Sequence, residues 1–513
     1  MSADPGRARR LALVGVVLLS AYAWFYQGGG WNQNSRFALA RALAEQGSVR
    51  LDATARYEGR AVTGDLVRRG RHTLTDKAPG ASLVAAPAVV LARALGPSDA
   101  SRASLSTLSW VATVAAAGLP TTLAALLLVL VAESLGASRR AALLAALTFG
   151  LGTPAWCQAT LLFGHALSGA CLWAAFAAAT ALRTPGGAAR DRALGWGVGL
   201  GAGWAVVTEF PAAVPAALLA GYALWEAGAA ARRREVAWRL AAGALLCALV
   251  LGGYNLLAFG SPFALGYGSV QGFEGMQRGV MGVTFPKPGV LFEILVGRYR
   301  GLLPLAPVLA LSPVGLWWLA RDPSTRRAGL TAAAVAAWYL LFNSAYHYWD
   351  GGYSFGPRHL LPSLPFLSLG LAPLWTRATV AGRRALAALT AWGFVACLVG
   401  VSVNAQPPES VRAPMSELLW PAFVAGRLAL NPQSIVDAGL AAVRDPSAHA
   451  TNLGERLGLR GHATLAPLAL LWAIAGALSL RGAPSAAPPG PAPPPGPAAP
   501  RRRARARRST AAR

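Results

Sequence analysis

The chain is poor in charge, and above all in negative charge. Of its 513 residues only 13% are charged, with 21 Asp and Glu against 47 Lys and Arg, while 54% are hydrophobic. Too few polar groups are present to cover such apolar surface in water, which excludes a soluble globular fold and points to an integral membrane protein. Lysine is nearly missing: Lys77 and Lys287 are the only two in a set of cations otherwise made of Arg. The four cysteines, Cys157, Cys171, Cys247 and Cys397, lie in apolar segments without a CxxC spacing. That excludes a disulfide framework and leaves small buried hydrophobes. No soluble domain with interleaved aromatic and basic residues is present, so the net charge of +26 reads as Arg at span ends and in the tail, facing anionic lipid and not nucleic acid.

What is abundant is apolar runs. Arg7, Arg9 and Arg10 precede Leu11 to Tyr26, which reads as a retained signal-anchor with the N-terminus in the cytoplasm. At about 20 residues per crossing, further spans are predicted near 105–131, 141–157, 163–182, 193–208, 211–225, 239–258, 301–320, 328–345, 359–375, 385–403 and 462–480. Arginines mark one side of this alternation: Arg139 and Arg140, Arg183 to Arg192, Arg232 to Arg239, Arg321 to Arg327 and Arg377 to Arg384. Ala81 to Leu95 is also apolar, but counting it as a crossing inverts every later loop. It reads either as a re-entrant or tilted helix or as a local failure of the alternation. The expectation is an all-α, multi-pass protein of the cytoplasmic membrane with twelve or thirteen spans. A transmembrane core over 81–403 is followed by an outer segment at 404–461, the last span at 462–480, and a Pro-, Ala- and Arg-rich tail from 481 that reads as disordered and cytoplasmic.

The scarce carboxylates are not spread evenly. Directly after the first span, the polar loop 27–80 holds Glu45, Asp52, Glu58, Asp65 and Asp76. Ser35 is placed to cap a helix over Arg36 to Glu45, expected to lie in the membrane interface with its Arg side chains near headgroups. Two further outer segments, 259–300 and 345–358, are rich in Gly, Pro and aromatics, and both lysines fall in outer segments, where a compact ammonium suits a phosphate. Glu209, between two apolar runs, is costly in lipid and must face a cavity or a partner. Arg358 with His359 enters a span, where Arg either clamps a phosphate or snorkels to the interface. His347 and Asp350 either orient a substrate or metal or anchor a helix end in a Tyr- and Trp-rich belt. His165 lies near an outer helix end.

NQNSRFALARALAEQGSVRLD, TGD, TDKAPG, YNLLAFGSPFALGYG, YRGLLPLAPVL and WDGGYSFGPRHLLPSLPFL together resemble a group of bacterial polytopic membrane proteins. These in turn resemble the glycosyltransferase C superfamily, which includes protein mannosyltransferases and the transferases that place aminoarabinose on lipid A. The resemblance spans roughly 11–375 and, more weakly, the last span with NLGERLGLRG before it. It implies a polytopic helical fold with a large first outer loop, and sugar transfer from a polyprenyl-phosphate donor on the outer membrane face. Asp76 and Lys77 match the Asp/Glu-Lys-Pro pattern of the superfamily, here with Ala78 before Pro79. The resemblance therefore implies Lys77 as a phosphate ligand and Asp76, Asp65 or Asp52 as the base that takes the acceptor's proton. Arg36, Asn32 and Asn34 join Glu209, Arg358, His359, His347 and Asp350 as substrate-binding candidates.

The chain departs from the superfamily just after the first span, where Asn32 and Asn34 stand in place of the usual carboxylates. An amide is no base at neutral pH, although it donates to sugar hydroxyls or ligates a metal. A divalent cation stays open as a cofactor. The departure also supports a second class of function, a non-catalytic transporter or lipid-handling protein on a related scaffold. Against that class, no inverted repeat and no matched pair of broken midplane helices is visible.

Overall fold

A computed structural model describes residues 5–96, 99–266, 273–438 and 450–481. The tail from 482 onward, with RRRARARR, and the parts of the outer segments at 267–272 and 439–449 lie outside the described residues. The architecture is helical, with three two-stranded ribbons among the described residues. Each predicted apolar run carries a helix. Among the described residues six helices are long and apolar enough to cross a membrane: Arg102–Ser134, Phe210–Ala227, Ala230–Phe259, Arg326–Ala345, Val380–Val403 and Gly461–Ser479. Others are interrupted. The run 301–320 breaks at Ala306 into Leu302–Leu305 and Ser312–Arg321, and 359–375 opens with a 3-10 turn before Leu364–Leu369 and Leu371–Arg377. Prolines at 304, 307, 313, 362 and 365 account for these breaks, since each lacks an N–H and crowds the preceding turn.

The Arg clusters gather at one end of the molecule. Arg7 on the first helix α1 (Pro5–Ala23) pairs with Glu133, which also meets Arg139. Arg183 donates to the carbonyls of Ser134 and Ser324, Arg232 pairs with Asp191, Arg327 pairs with Glu226, and Arg377 stacks over Trp318. The opposite end gathers the loop 27–80, the segments 259–266 and 273–300, and 404–438.

Two helices of the first loop differ from the sequence expectation. The helix α2 spans Trp31–Gln46, five residues longer at its start than predicted, with Gly30 at its N-cap and Gly47 closing it in the left-handed conformation. Ser35 is therefore inside the helix and not its cap. Its hydroxyl donates to the carbonyl of Asp65 and meets the Thr75 hydroxyl at 2.6 Å. Nor is α2 an interfacial helix with Arg side chains at headgroups, for most of it from Gln33 to Ala42 is buried, Arg36 included. The helix α3 (Gly80–Leu95) runs beside α2 in the same direction. Ser82 bonds the carbonyl of Arg36 near its start, and Arg93 pairs with Glu45 near its end. The next helix opens with Arg102 beside Glu58 and passes Trp110 against Ala23, at the outer end of α1, before reaching Glu133 against Arg7. Both ends of α3 thus lie at the first-loop end of the molecule. Of the two readings of Ala81 to Leu95, this placement agrees with the helix that does not cross.

Candidate active site

Beneath the first loop lies a cavity of about 850 Å³. It is lined by Asn32, Arg36, Asp65, Asp76 and Lys77 from that loop, and by Glu209 from the end of helix Ala188–Thr208. Asp350, Arg358 and His359 line it from the far side. Phe163, Phe210, Trp338, Phe342, Tyr346 and Pro362 form an apolar wall, joined by Met276, Val280 and Val283 of the outer segment. A site of this size, mostly apolar with a few convergent charges, is the ordinary form of a small-molecule site.

The charges are arranged in pairs. The Lys77 ammonium lies 2.9 Å from Asp65 and 2.7 Å from Asp76. Thr63 holds Asp65 in place by accepting from its backbone N–H and donating to the Trp31 carbonyl. Asp76 is 2% exposed, and its second oxygen, Oδ1, has no hydrogen-bond partner. Burial raises the Asp76 pKa above the usual carboxylate range, and the nearby Asp65 adds to this, while Lys77 acts against it. Arg36 donates from Nε to Asn32, from one terminal nitrogen to the Ala78 carbonyl, and from the other to Glu209 at 2.7 Å. This pair is pressed against the start of helix Gly164–Ala181: a Cβ at Gly164 would collide with the Glu209 carboxylate, so the position requires glycine.

Arg358 is different. Its guanidinium sits 4.8 Å above the Phe163 ring, its Nε is buried without a hydrogen-bond partner, and among the described residues it has no ion-pair partner. It is the cation of this cavity whose charge is not already matched by a touching carboxylate. His359 beside it packs edge-on to His165 and Tyr346, with a buried and unpartnered Nε2. Asp350 accepts from Tyr299, and its backbone carbonyl accepts from the buried Arg300.

Three sequence candidates fall elsewhere. Asp52 lies outside the cavity, in an exposed turn, where it pairs with His72 and accepts from the Thr73 N–H. Asn34 is buried behind the wall, donating to the carbonyls of Val62 and Ser434, so its role is to hold the loop closed. His347 does not line the cavity either. Its ring packs edge-on to Tyr348, and its N–H donates to the Gly282 carbonyl, pinning the outer segment to the helix end. Among the described residues no three His, Cys, Asp or Glu side chains are grouped to hold a metal ion.

The segment 404–438 is part of the site, which sequence reasoning missed. Gln406, Glu409, Gln433 and Ala438 line the cavity. Asn431 donates to the Gln27 carbonyl and to Gln406, while Trp31 donates to the Ala438 carbonyl. A Cβ at Gly29 would collide with Asn34 and the Ser434 carbonyl, so the glycine run at 28–30 is what lets this segment close on the first loop. That run, directly after the first span, was the signal available for it.

No family profile and no curated protein matches the chain. Among solved structures, ArnT from Cupriavidus metallidurans bound to undecaprenyl phosphate is 18% identical, with a TM-score of 0.51 over 94% of this chain and 77% of that one. The same protein in the apo state is 19% identical, with a TM-score of 0.48 over 92% and 78%. The chain shares a polytopic helical fold with the undecaprenyl-phosphate-bound ArnT structure.

Proposed function

We propose that this protein transfers a sugar from a polyprenyl-phosphate donor to an acceptor hydroxyl at the outer face of the cytoplasmic membrane. The observation that carries this reading is the unmatched Arg358 guanidinium in the cavity wall beside Phe163, with the Asp65–Lys77–Asp76 cluster lining the same cavity. A polyprenyl phosphate is a charged head on an apolar chain, and Arg358 with the aromatic wall offers both halves of that chemistry. The fold shared with an ArnT that binds undecaprenyl phosphate supports the same donor class.

In this reading Arg358 takes the phosphate. Lys77, already bonded to two carboxylates, holds Asp65 and Asp76 side by side and opposes the burial that raises the Asp76 pKa. The acceptor oxygen attacks the anomeric carbon, its proton passes to the free oxygen of Asp76, and the bond to phosphate breaks with its electron pair leaving on the phosphate. The carboxylate contributes as a general base and Arg358 as a stabiliser of the departing charge. Purified protein in lipid nanodiscs, supplied with polyprenyl-phosphate sugars and followed by mass spectrometry, tests this through consumption of donor. Binding of donor without consumption favours the lipid-handling alternative.

A further inference from the structure

One end of the cavity is built from amides, and the function above assigns them nothing. Gln33 and Gln406 come from segments far apart in the chain and meet across Gly30, which adopts φ +127°. A Cβ there would stand 2.7 Å from the Gln33 Oε1 and 3.1 Å from the Gln406 Nε2. Only glycine allows both the backbone conformation and the convergence of the two side chains. Gln33 is 3% exposed, and its Nε2 is buried without a hydrogen-bond partner. Gln406 has its Oε1 occupied by Asn431, which leaves its Nε2 donors for something else. Asn32 and Gln433 line the cavity close by. A buried amide nitrogen without a partner is costly, and a site that retains one is organised around a group that supplies the acceptor.

Charge narrows the class of that group. Over Gly30 the Gln33 carbonyl oxygen stands beside the Gln406 amide N–H, and an acceptor next to a donor matches a hydroxyl, which both donates and accepts. The cavity wall carries Arg36, Lys77 and Arg358 against Asp65, Asp76, Glu209, Asp350 and Glu409, an excess of carboxylates that opposes a sugar acid. We infer that Gln33 and Gln406, meeting over Gly30, form a subsite for a neutral, polyhydroxylated sugar ring and select against sugar acids. The inference rests on the proposed use of a lipid-phosphate donor.

The test measures binding to protein in nanodiscs of undecaprenyl phosphate alone, of its neutral hexosyl derivative and of its amino-sugar derivative, with a free neutral oligosaccharide as a fourth probe. Two recovered hydrogen bonds predict that the hexosyl lipid binds about tenfold more tightly than the bare carrier. Gln33→Met with Gln406→Leu removes that increment and leaves carrier affinity as it was. Gln33→Glu, which keeps the shape of the side chain, shifts preference toward the amino-sugar lipid and serves if the double variant does not fold. If the increment is missing from the lipid but the free oligosaccharide binds in a Gln33-dependent way, the ring belongs to the acceptor and the subsite stands. Carrier binding with no glutamine-dependent preference for either neutral probe overturns the subsite while leaving the donor reading intact. Failure of the carrier itself to bind overturns both.

Discussion

Replacing Arg358 by Ala is the perturbation with the cleanest expected outcome. The guanidinium touches no carboxylate, so its removal leaves no buried acid without a partner, and thermal stability should change little beyond the lost contact with Phe163. Binding should respond strongly. A hydrogen bond to a charged group contributes roughly 1.5–3 kcal/mol, which corresponds to about 10- to 150-fold in Kd for the carrier lipid. Arg358→Lys keeps the charge but not the planar fork, and should recover only part of the affinity. Arg36→Ala is the control. It strands Glu209 in a buried setting and should cost about 3–5 kcal/mol of stability, because breaking a buried pair leaves an uncompensated charge. Titration of undecaprenyl phosphate into nanodisc-held protein, with melting curves for each variant, reads both effects. An Arg358→Ala protein that melts normally and binds carrier as tightly as wild type refutes the assignment of Arg358 to the phosphate.

Further expectations concern the base, its pH dependence, the discarded candidate and the topology. Asp76→Asn should reduce turnover by roughly 10²–10⁴-fold while donor binding persists, as expected for a general base; an equal loss of affinity would mean that Asp76 only holds Lys77. Because burial raises the Asp76 pKa, the group binds its proton at pH values where an ordinary aspartate has lost it. Turnover should therefore fall with decreasing pH through a limb lying above the usual aspartate value of about 4, and Lys77→Met should move that limb further up. Asp52→Asn, remote from the cavity, should leave turnover unchanged. In a background without native cysteines, Ser48→Cys should react with an impermeant thiol reagent in intact cells and Ser134→Cys should not; the reverse pattern inverts the topology.

Much of the candidate cavity lining was legible because carboxylates are rare in this chain and expensive near lipid. Asp65, Asp76 and Glu209 stood out on that ground, and Lys77 and Arg358 beside them. The Arg alternation likewise gave the two ends of the molecule. What was not legible depended on contacts between distant segments. Gln406 and Gln433 are ordinary polar residues in an ordinary loop until the glycines at 28–30 admit that loop to the first one. Ser35 had the right residue type and spacing for a cap, but Gly30 allows the helix to begin earlier, and the hydroxyl serves Asp65 and Thr75 instead. The sixteen residues of α3 are too few to decide between crossing and lying alongside. The decision came from Arg93 and Glu45, 48 positions apart in sequence.

The central claim is that this cavity transfers a sugar from a polyprenyl-phosphate donor. Mass spectrometry of donor and acceptor pools tests it most directly, using purified wild-type and Asp76→Asn protein in nanodiscs supplied with a panel of polyprenyl-phosphate sugars. The account predicts that wild type consumes at least one donor, releasing free carrier phosphate, and that Asp76→Asn binds the same donor without consuming it. Binding of donors by wild type with no release of carrier from any of them would contradict it.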